Sequence, residues 1–311
     1  MIDYLTKLIH AGKRHKIRSL PHLGIWLWLL LCIPCLLASC GNDDDEKEKG
    51  LSVSLSWANE ADKGTEVKDV KLWIFNAGKD SLVEEKHYGS AEEMASQRFQ
   101  LPEGTYRILT TTNLSEPFFI KEQTRALSSW NNILIGLTNP KDVKNNAYFG
   151  VTDVRIDNKE GNYVVQNPVK SVLAELTIII ENVPKGTEMN GKALDCAGCL
   201  FPTQKNSDGD YGLPGIEPTE VEVPTILATE STLQSEVIRL MPTIQGSQAS
   251  HIYLRLLLPN ATLLEYDITA PVMKVGGKYE LRFKLEEMQP KIYLESDINN
   301  WKDLNKEVEI K

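Results

Sequence analysis

The sharpest chemical motif in the sequence is a pair of cysteines three positions apart, Cys196-Ala197-Gly198-Cys199. Structural zinc takes a full set of cysteine and histidine ligands, and after residue 40 the chain offers only His87 and His251 as imidazoles. A redox pair of this spacing usually opens a helix in a βαβ unit, whereas glycine and proline surround this one. The motif therefore predicts a local disulfide or two unreactive thiols, with no metal and no cofactor.

A third cysteine, Cys40, stands at a boundary between an apolar and a charged segment. Basic residues dominate the start of the chain, and residues 23–37 carry no charge, which is the layout of an export signal. That run is short for a membrane span. Leu37-Ala38-Ser39-Cys40 resembles the bacterial lipobox, in which the cysteine thiol receives diacylglycerol before cleavage. We expect residues 1–39 to be a lipoprotein signal peptide and Cys40 to be lipidated; an ordinary signal or an uncleaved anchor is the alternative.

The segment that follows Cys40 is acidic. Residues 42–46 resemble the surface-export signal of Bacteroidetes lipoproteins, and they could equally serve as a solvated tether over residues 40–50. The formal net charge is −9 for the whole sequence and becomes −13 without residues 1–39. Such an acidic chain is not expected to bind nucleic acid, which calls for a basic patch. These features predict an outer-membrane, lipid-anchored protein that is exposed at the cell surface.

Other motifs predict less. The segment from Gly186 to Ala193 is close to a phosphate loop but lacks the final hydroxyl, so we interpret it as a turn. Residues 206–210 are rich in oxygen donors but lack the bidentate glutamate of a calcium loop, so a polar turn is expected. Asp80-Ser81-Leu82 fits a short O-glycosylation pattern. The carboxylate pairs and the two histidines fit no catalytic arrangement, and we predict no catalytic residue and no enzyme.

Alternating apolar and polar residues predict an all-β fold with few short helices. Such runs occur at 51–57, 70–75, 99–113, 172–180, 251–258 and 278–285. Short helices are expected at Ala91–Gln97 and Lys121–Trp130, and residues 186–230 are expected to form a long irregular insertion. The length after residue 40 suits two domains. We place a β-sandwich domain at 51–160 and a second one at 168–311.

Several of these segments together resemble a known family, the fimbrial anchor and minor subunits of Bacteroidetes type V pili. The resemblance rests on the order of short motifs, which are the lipobox, 51–57, 67–76 (VKDVKLWIFN), 101–113 (LPEGTYRILTTTN), 148–150, 172–184 (VLAELTIIIENVP) and 277–285 (GKYELRFKL). It implies two tandem transthyretin-like β-sandwich domains. The insertion around Cys196–Tyr211 has no counterpart in this pattern.

The family resemblance also implies a role. Its pilins are trimmed by an arginine-specific protease, but this chain has no arginine between Cys40 and Arg98. Lysines such as Lys49 leave open cleavage by a different protease. The chain is expected to keep its lipid and first strand, as an anchor or accessory subunit that docks pilin subunits by β-strand addition. Host or bacterial surface ligands are further candidate partners. Val308 and Ile310 could form a donor strand or complete their own sheet.

The alternative function is a surface glycan-binding lipoprotein of a polysaccharide-uptake system. Four tryptophans could stack on sugars, although tryptophan in alternating strands usually belongs to the core; they are Trp57, Trp73, Trp130 and Trp301. An exposed row of these rings on one face would favour the glycan-binding alternative. A groove or a loose terminal strand would favour the fimbrial one.

Overall fold

A computed structural model describes residues 49–122, 129–140, 143–288 and 294–295 of the 311-residue chain. In this part the prediction of an all-β sandwich fold with few short helices is confirmed. The strands are, in chain order, β1 (Gly50–Trp57), β2 (Val70–Asn76), β3 (Ser81–Tyr88), β4 (Gly104–Thr112), β5 (Phe118–Glu122), β6 (Ile133–Leu137), β7 (Tyr148–Ile156), β8 (Asn162–Ser171), β9 (Ala174–Glu181), β10 (Glu188–Ala197), β11 (Cys199–Lys205), β12 (Tyr211–Pro214), β13 (Pro218–Leu227), β14 (Thr232–Gln234), β15 (Ile238–Leu240), β16 (Ser250–Leu257), β17 (Leu263–Ala270), β18 (Lys278–Lys284) and β19 (Leu294–Glu295).

The first sheet has six strands in the order β1-β8-β7-β4-β2-β3. Strand β1 lies parallel to β8, and the other pairs in this sheet are antiparallel. Asn167 in β8 is fully buried and ties three of these strands together. Its amide donates to Thr110 Oγ1 at 2.9 Å and to the Gly150 carbonyl at 3.1 Å, and its oxygen accepts from Thr152 at 2.9 Å. Because each polar atom is paired, burying this amide costs little.

Three further sheets complete the fold. One has five strands in the order β13-β10-β16-β17-β19, and another has four in the order β12-β11-β6-β5. In the last, β14 and β15 pair with opposite ends of β9, and β18 runs parallel to β9. Residues 157–161 form the turn between β7 and β8, and β8 belongs to the first sheet. The gap between the two predicted domains, residues 161–167, therefore includes part of a strand of that sheet. The division into domains 51–160 and 168–311 stays a prediction.

The buried apolar side chains form three clusters. The first core lies under the six-stranded sheet and includes Leu51, Val53 and Ile108. The third core is formed by side chains of the five-stranded sheet and of the β9 sheet, with Leu176 and Leu254 among its members. The second core joins early and late parts of the chain. Its members include Trp73, Phe75, Leu109, Trp130, Phe149, Leu173, Leu200 and Met241.

The single α-helix of the described residues, α1 (Ala91–Ala95), confirms the predicted helix at 91–97. Ser90 caps it by accepting a hydrogen bond from the Glu93 amide at 3.2 Å, while the Glu93 carboxylate accepts from the Gly89 amide at 2.7 Å. This reciprocal pattern resembles a capping box. The second predicted helix, at 121–130, is wrong at both ends. Residues 121–122 belong to β5, Trp130–Asn132 is a 3₁₀ turn, and 123–128 lie outside the described residues.

The prediction of an irregular insertion at 186–230 is wrong. The segment contains four strands, β10 to β13. Small residues and prolines concealed the alternation, because β10 places Gly191 and Ala193 where larger apolar residues are usual. The glycine has a steric reason, since a Cβ at Gly191 would collide with the carbonyl oxygen of Tyr253 in the paired strand β16. Close approach of two backbones therefore selects glycine here.

Candidate functional site

The outer edge of β1 is the candidate docking site. Gly50 and Ala58 donate their amides toward β8 and the turn before it, whereas the Leu51 amide donates outward to the Phe99 carbonyl at 2.9 Å. Because successive amides of a strand point to opposite edges, the amides of Val53, Leu55 and Trp57 also point outward. Among the described residues, Phe99 is the one strand-like partner on this edge. Within the ranges that the structure describes, no strand pairs with this edge from Val53 to Trp57, and a further strand could be added there.

The two faces of β1 are covered even though its edge is open. Leu51 and Val53 are 1% and 0% exposed and belong to the first core. On the opposite face Ser52 is buried, and its hydroxyl donates to the Ala95 carbonyl of α1 at 3.0 Å. Leu55 and Trp57, farther along, are half-buried. A strand added at this edge would place its inward side chains beside a core that already exists.

Two other sheet edges carry features that oppose strand addition. In β3 the register shifts between Leu82 and Glu84, and charged residues fill the following positions. Strand β13 contains Pro224 and two glutamates, Glu220 and Glu222. Bulges, charges and prolines at edges prevent unwanted pairing. By comparison, β1 pairs with β8 over all eight residues without a register shift and has neither proline nor charge.

The cysteine pair lies where β10 passes into β11. Both thiols are free in the structure, and the predicted disulfide stays a prediction. Cys196 is buried in the third core, and its Sγ lies 3.7 Å from the Ala193 carbonyl oxygen. Burial, and to a lesser degree Asp195, raises the pKa of Cys196 to about 12. Cys199 is half-buried, and burial followed by the charge of Glu217 raises its pKa too. Neither thiol is activated as a nucleophile.

The remaining candidate motifs are structural. The expected turn at 186–193 is wrong from Glu188 onward, because those residues form β10. The expected polar turn at 206–210 is confirmed, with Asn206 Oδ1 accepting from the amides of Asp208 and Asp210. Lys274 pairs with Asp208 at 2.9 Å, which neutralises part of its charge. Within the ranges described, no group of three metal-ligating side chains occurs.

Several predicted features cannot be located in the structure. Cys40 and the C-terminal residues 307–311 lie outside the described residues, as does Trp301. Ser81 of the O-glycosylation pattern is half-buried at the start of β3, and its modification stays a prediction. Trp73 and Trp130 are 3% and 2% exposed and Trp57 is half-buried, so these three rings do not form an exposed row. Among the described helices, none is long and apolar enough to cross a membrane.

A charged cleft of about 730 Å³, which no sequence motif indicated, lies between the first sheet and the β9 sheet. Lys278 lies 3.5 Å from both Asp62 and Glu175, and Arg239 lies 3.3 Å from Glu175. Asp62 is only 4% exposed. These ion pairs join residues that are 64 or more positions apart, so no local sequence pattern could reveal them. Because these charges pair with one another, they stabilise the contact between the first sheet and the β9 sheet.

Comparison with known proteins identifies relatives of the chain. The family model for fimbrillin-A associated anchor proteins Mfa1 and Mfa2 matches residues 42–304. No curated protein sequence matches. Among solved structures, the fimbrial anchor protein Mfa2 from Porphyromonas gingivalis is 12% identical with a TM-score of 0.51, covering 76% of this chain and 90% of that one.

Two structures from Bacteroides thetaiotaomicron are similar to the same degree. One, described as a candidate polysaccharide-binding protein, is 10% identical with a TM-score of 0.52, covering 78% of this chain and 94% of that one. The other, a proposed adhesin, is 11% identical with a TM-score of 0.52, covering 70% of this chain and 79% of that one. At such low identity these likenesses show a shared fold.

Proposed function

The chain belongs to the family of fimbrillin-A associated anchor proteins, and from this membership we propose that it holds a fimbrium at the bacterial cell surface as an anchor or accessory subunit. The family is one of structural proteins of fimbriae at the cell envelope, not of enzymes. Two steps are proposed beyond membership. The protein is retained in the outer membrane through lipid on Cys40, and it docks a fimbrial subunit along the outer edge of β1.

The lipid step rests on the sequence around Cys40 and on simple energetics. Each buried methylene contributes about 0.8 kcal/mol to membrane binding, and two acyl chains hold a protein stably where one does not. Diacylglycerol on Cys40 supplies the two acyl chains that stable binding requires. Strand β1 begins ten positions later, at Gly50. The folded part would therefore stand directly above the membrane on a short acidic tether.

The docking step rests on the open, unprotected edge of β1, which is the observation that carries this proposal. An extended segment from a fimbrial subunit would hydrogen-bond to the outward groups of Val53, Leu55 and Trp57. Keeping β1 in place is essential to this mode of docking. Arg98 is the first arginine after Cys40 and immediately precedes Phe99, so cleavage there would cut the chain between α1 and the residue paired with Leu51.

Leu55→Pro tests the docking step. Proline removes the outward amide but no bond to β8, and proline is tolerated where a strand amide faces solvent. We expect the affinity of the variant for purified fimbrial subunits to fall about tenfold. The reason is that the proline interrupts the middle of the hydrogen-bond ladder between β1 and the docked segment. Surface plasmon resonance with the full-length protein in detergent measures this.

Leu55→Ala is the matched control, because it shortens the same side chain and keeps the amide. It should capture fimbrial subunits as the unaltered protein does. Ser54→Pro, whose amide faces β8, should instead lower the unfolding midpoint. If Leu55→Pro captures subunits normally while its unfolding midpoint is unchanged, docking does not use this edge.

Cys40→Ala tests the lipid step in cells. Removing the thiol removes the acylation site, so we expect the protein, and the fimbriae attached to it, to be shed into the medium. Immunoblots of membrane and medium fractions, with electron microscopy of the fimbriae, measure the change. Conversion of Cys35, which lies in the apolar run, to alanine is the control and should change nothing. Fimbriae that stay attached in the Cys40→Ala strain would contradict lipid anchoring.

A further inference from the structure

A second cleft, of about 620 Å³, lies between the first sheet and the β11–β12 hairpin. We call it the Arg107 cleft, and its chemistry comes from Arg107, Trp130, Asp153, Gln204, Lys205 and Tyr211. Its volume falls within the range of about 300–1,000 Å³ that is usual for small-molecule sites. It is separate from the β1 edge, and neither the family nor the proposed docking role explains it.

Strand register places the charged groups of this cleft. Arg107 in β4 lies directly opposite Asp153 in β7, and Lys205 in β11 lies directly opposite Tyr211 in β12. Directly paired residues project to the same face of a sheet. Trp130 enters from its 3₁₀ turn and meets the Tyr211 ring edge to face, with centroids 6.3 Å apart. The rings of Trp130 and Tyr211 thus lie beside the cations of Arg107 and Lys205, and Asp153 is the neighbour of Arg107 on the sheet.

The guanidinium of Arg107 has unused hydrogen-bonding capacity. Its Cζ lies 5.6 Å from the centroid of Trp130, which fixes the group by a cation–π contact. Its nearest described carboxylate oxygen, Asp80 Oδ1, is 3.8 Å away, which is beyond a hydrogen bond. Among the described residues the Arg107 guanidinium makes no hydrogen bond, although it carries several donors in a planar fork. Such a fork matches a carboxylate.

The other polar groups can recognise hydroxyl groups. Asp153 is exposed and forms no ion pair with any described residue, so both of its oxygens can accept. Lys205 is exposed and lies 4.9 Å from the centroid of the Tyr211 ring. Thr203, 2% exposed, lines the same cleft, and its hydroxyl has no hydrogen-bond partner in the described ranges. Gln204 donates to the Asn131 carbonyl at 3.1 Å, which positions its amide at the cleft.

The residues that line the cleft carry more positive than negative charge, although Asp80 lies beside Arg107 just outside the lining. Two cations and one carboxylate line it, whereas the whole chain has a formal net charge of −9. We propose that the Arg107 cleft binds an acidic sugar unit, such as a uronic acid, of an extracellular oligosaccharide. The carboxylate of the sugar pairs with Arg107 and Lys205, its hydroxyls bond to Asp153 and Gln204, and its apolar face lies against the Tyr211 ring.

An acidic peptide is the competing ligand, and the composition of the cleft disfavours it. A run of carboxylates has no hydroxyl group to donate to Asp153, so the repulsion between Asp153 and the charge of the ligand is not offset. A sugar, by contrast, offers hydroxyl donors to the Asp153 oxygens. Burial raises the pKa of Tyr211, and the neighbouring Asp153 adds to this, so the ring stays uncharged at neutral pH and does not repel an anionic ligand.

Isothermal titration calorimetry tests the proposal by measuring the binding of a trimer of galacturonic acid to the full-length protein in detergent. The expected result is saturable binding that weakens about tenfold or more in Arg107→Gln and severalfold in Lys205→Gln. Lys192→Gln is the matched control, since that lysine pairs with Glu220 on a different sheet, and it should leave binding unchanged. Unfolding midpoints of the variants show that each is folded; Lys205→Gln alters only an exposed side chain.

Two comparison ligands make the result decisive. The same trimer with its carboxylates reduced to alcohols should bind about tenfold more weakly, because it cannot pair with Arg107. Hexaglutamate should neither bind comparably nor displace the trimer. The proposal is overturned if the acidic trimer does not bind at millimolar concentration, if the reduced trimer binds equally, if hexaglutamate binds more tightly, or if folded Arg107→Gln binds normally.

Discussion

Single residues decide how the cysteine pair behaves. Cys196 and Cys199 are three positions apart, but one side chain is in a core and the other is half-exposed. The sequence predicts that this motif is neither a metal site nor a redox site, because it lacks partner ligands and a helix, and this stays a prediction. It could not predict the difference in burial, since that depends on strands β13 and β16, which pair with β10 from elsewhere in the chain.

This difference predicts unequal alkylation. A thiol whose pKa is raised carries less thiolate at a given pH, and burial also excludes the reagent. At pH 8 we expect iodoacetamide to label Cys199 slowly, and faster as the pH rises, while Cys196 is labelled only after unfolding. Peptide mass spectrometry at several pH values measures both sites. Absence of label at both sites until a reductant is added would instead establish the disulfide.

At the scale of elements, the sequence predicted strands where large apolar residues alternate with polar ones. Leu51–Trp57 is the clearest case and coincides with β1. The prediction failed at β10, where Gly191 and Ala193 fill the inward positions. At Gly191 the backbone of the neighbouring strand β16 leaves no room for a side chain. The open edge of β1 was also beyond prediction. Which edge of a strand is paired depends on residues 99 and 162–169, far along the chain.

Strand β1 is expected to contribute heavily to stability. Leu51→Ala empties a site that is 1% exposed in the first core, and such truncations usually cost about 2–5 kcal/mol. Urea unfolding followed by tryptophan fluorescence measures the change. Leu263→Ala is the control, because that side chain is 44% exposed and should cost less than about 0.5 kcal/mol. Equal effects of the two variants would mean that β1 is not part of the stable core.

At the scale of the whole molecule, the second core is shared by early and late parts of the chain. Phe75 and Leu109 pack in the same cluster as Leu200 and Met241. The ion pair between Asp62 and Lys278 joins the same two parts. A boundary drawn from composition alone cannot detect such sharing, because polar residues at a tight turn resemble those of a linker.

The shared core predicts a single cooperative thermal transition. Because neither part can bury Phe75 and Leu200 alone, both should unfold together, and the calorimetric and van't Hoff enthalpies should agree. Differential scanning calorimetry measures their ratio. Leu200→Ala should lower the midpoint without splitting the peak, since it weakens a core that both parts use. Two separate transitions would show instead that residues 51–160 and 168–311 unfold as independent domains.

The parallel register of β1 on β8 has a mechanical consequence. A pull applied at Gly50 along the axis of β1 acts at the start of a ladder that runs from Gly50 to Trp57. The backbone hydrogen bonds of that ladder lie across the direction of pull and are loaded in shear together, whereas a hairpin pulled at its open end loses its bonds one at a time. A tensile force of this direction would thus be resisted by all the hydrogen bonds between β1 and β8 together.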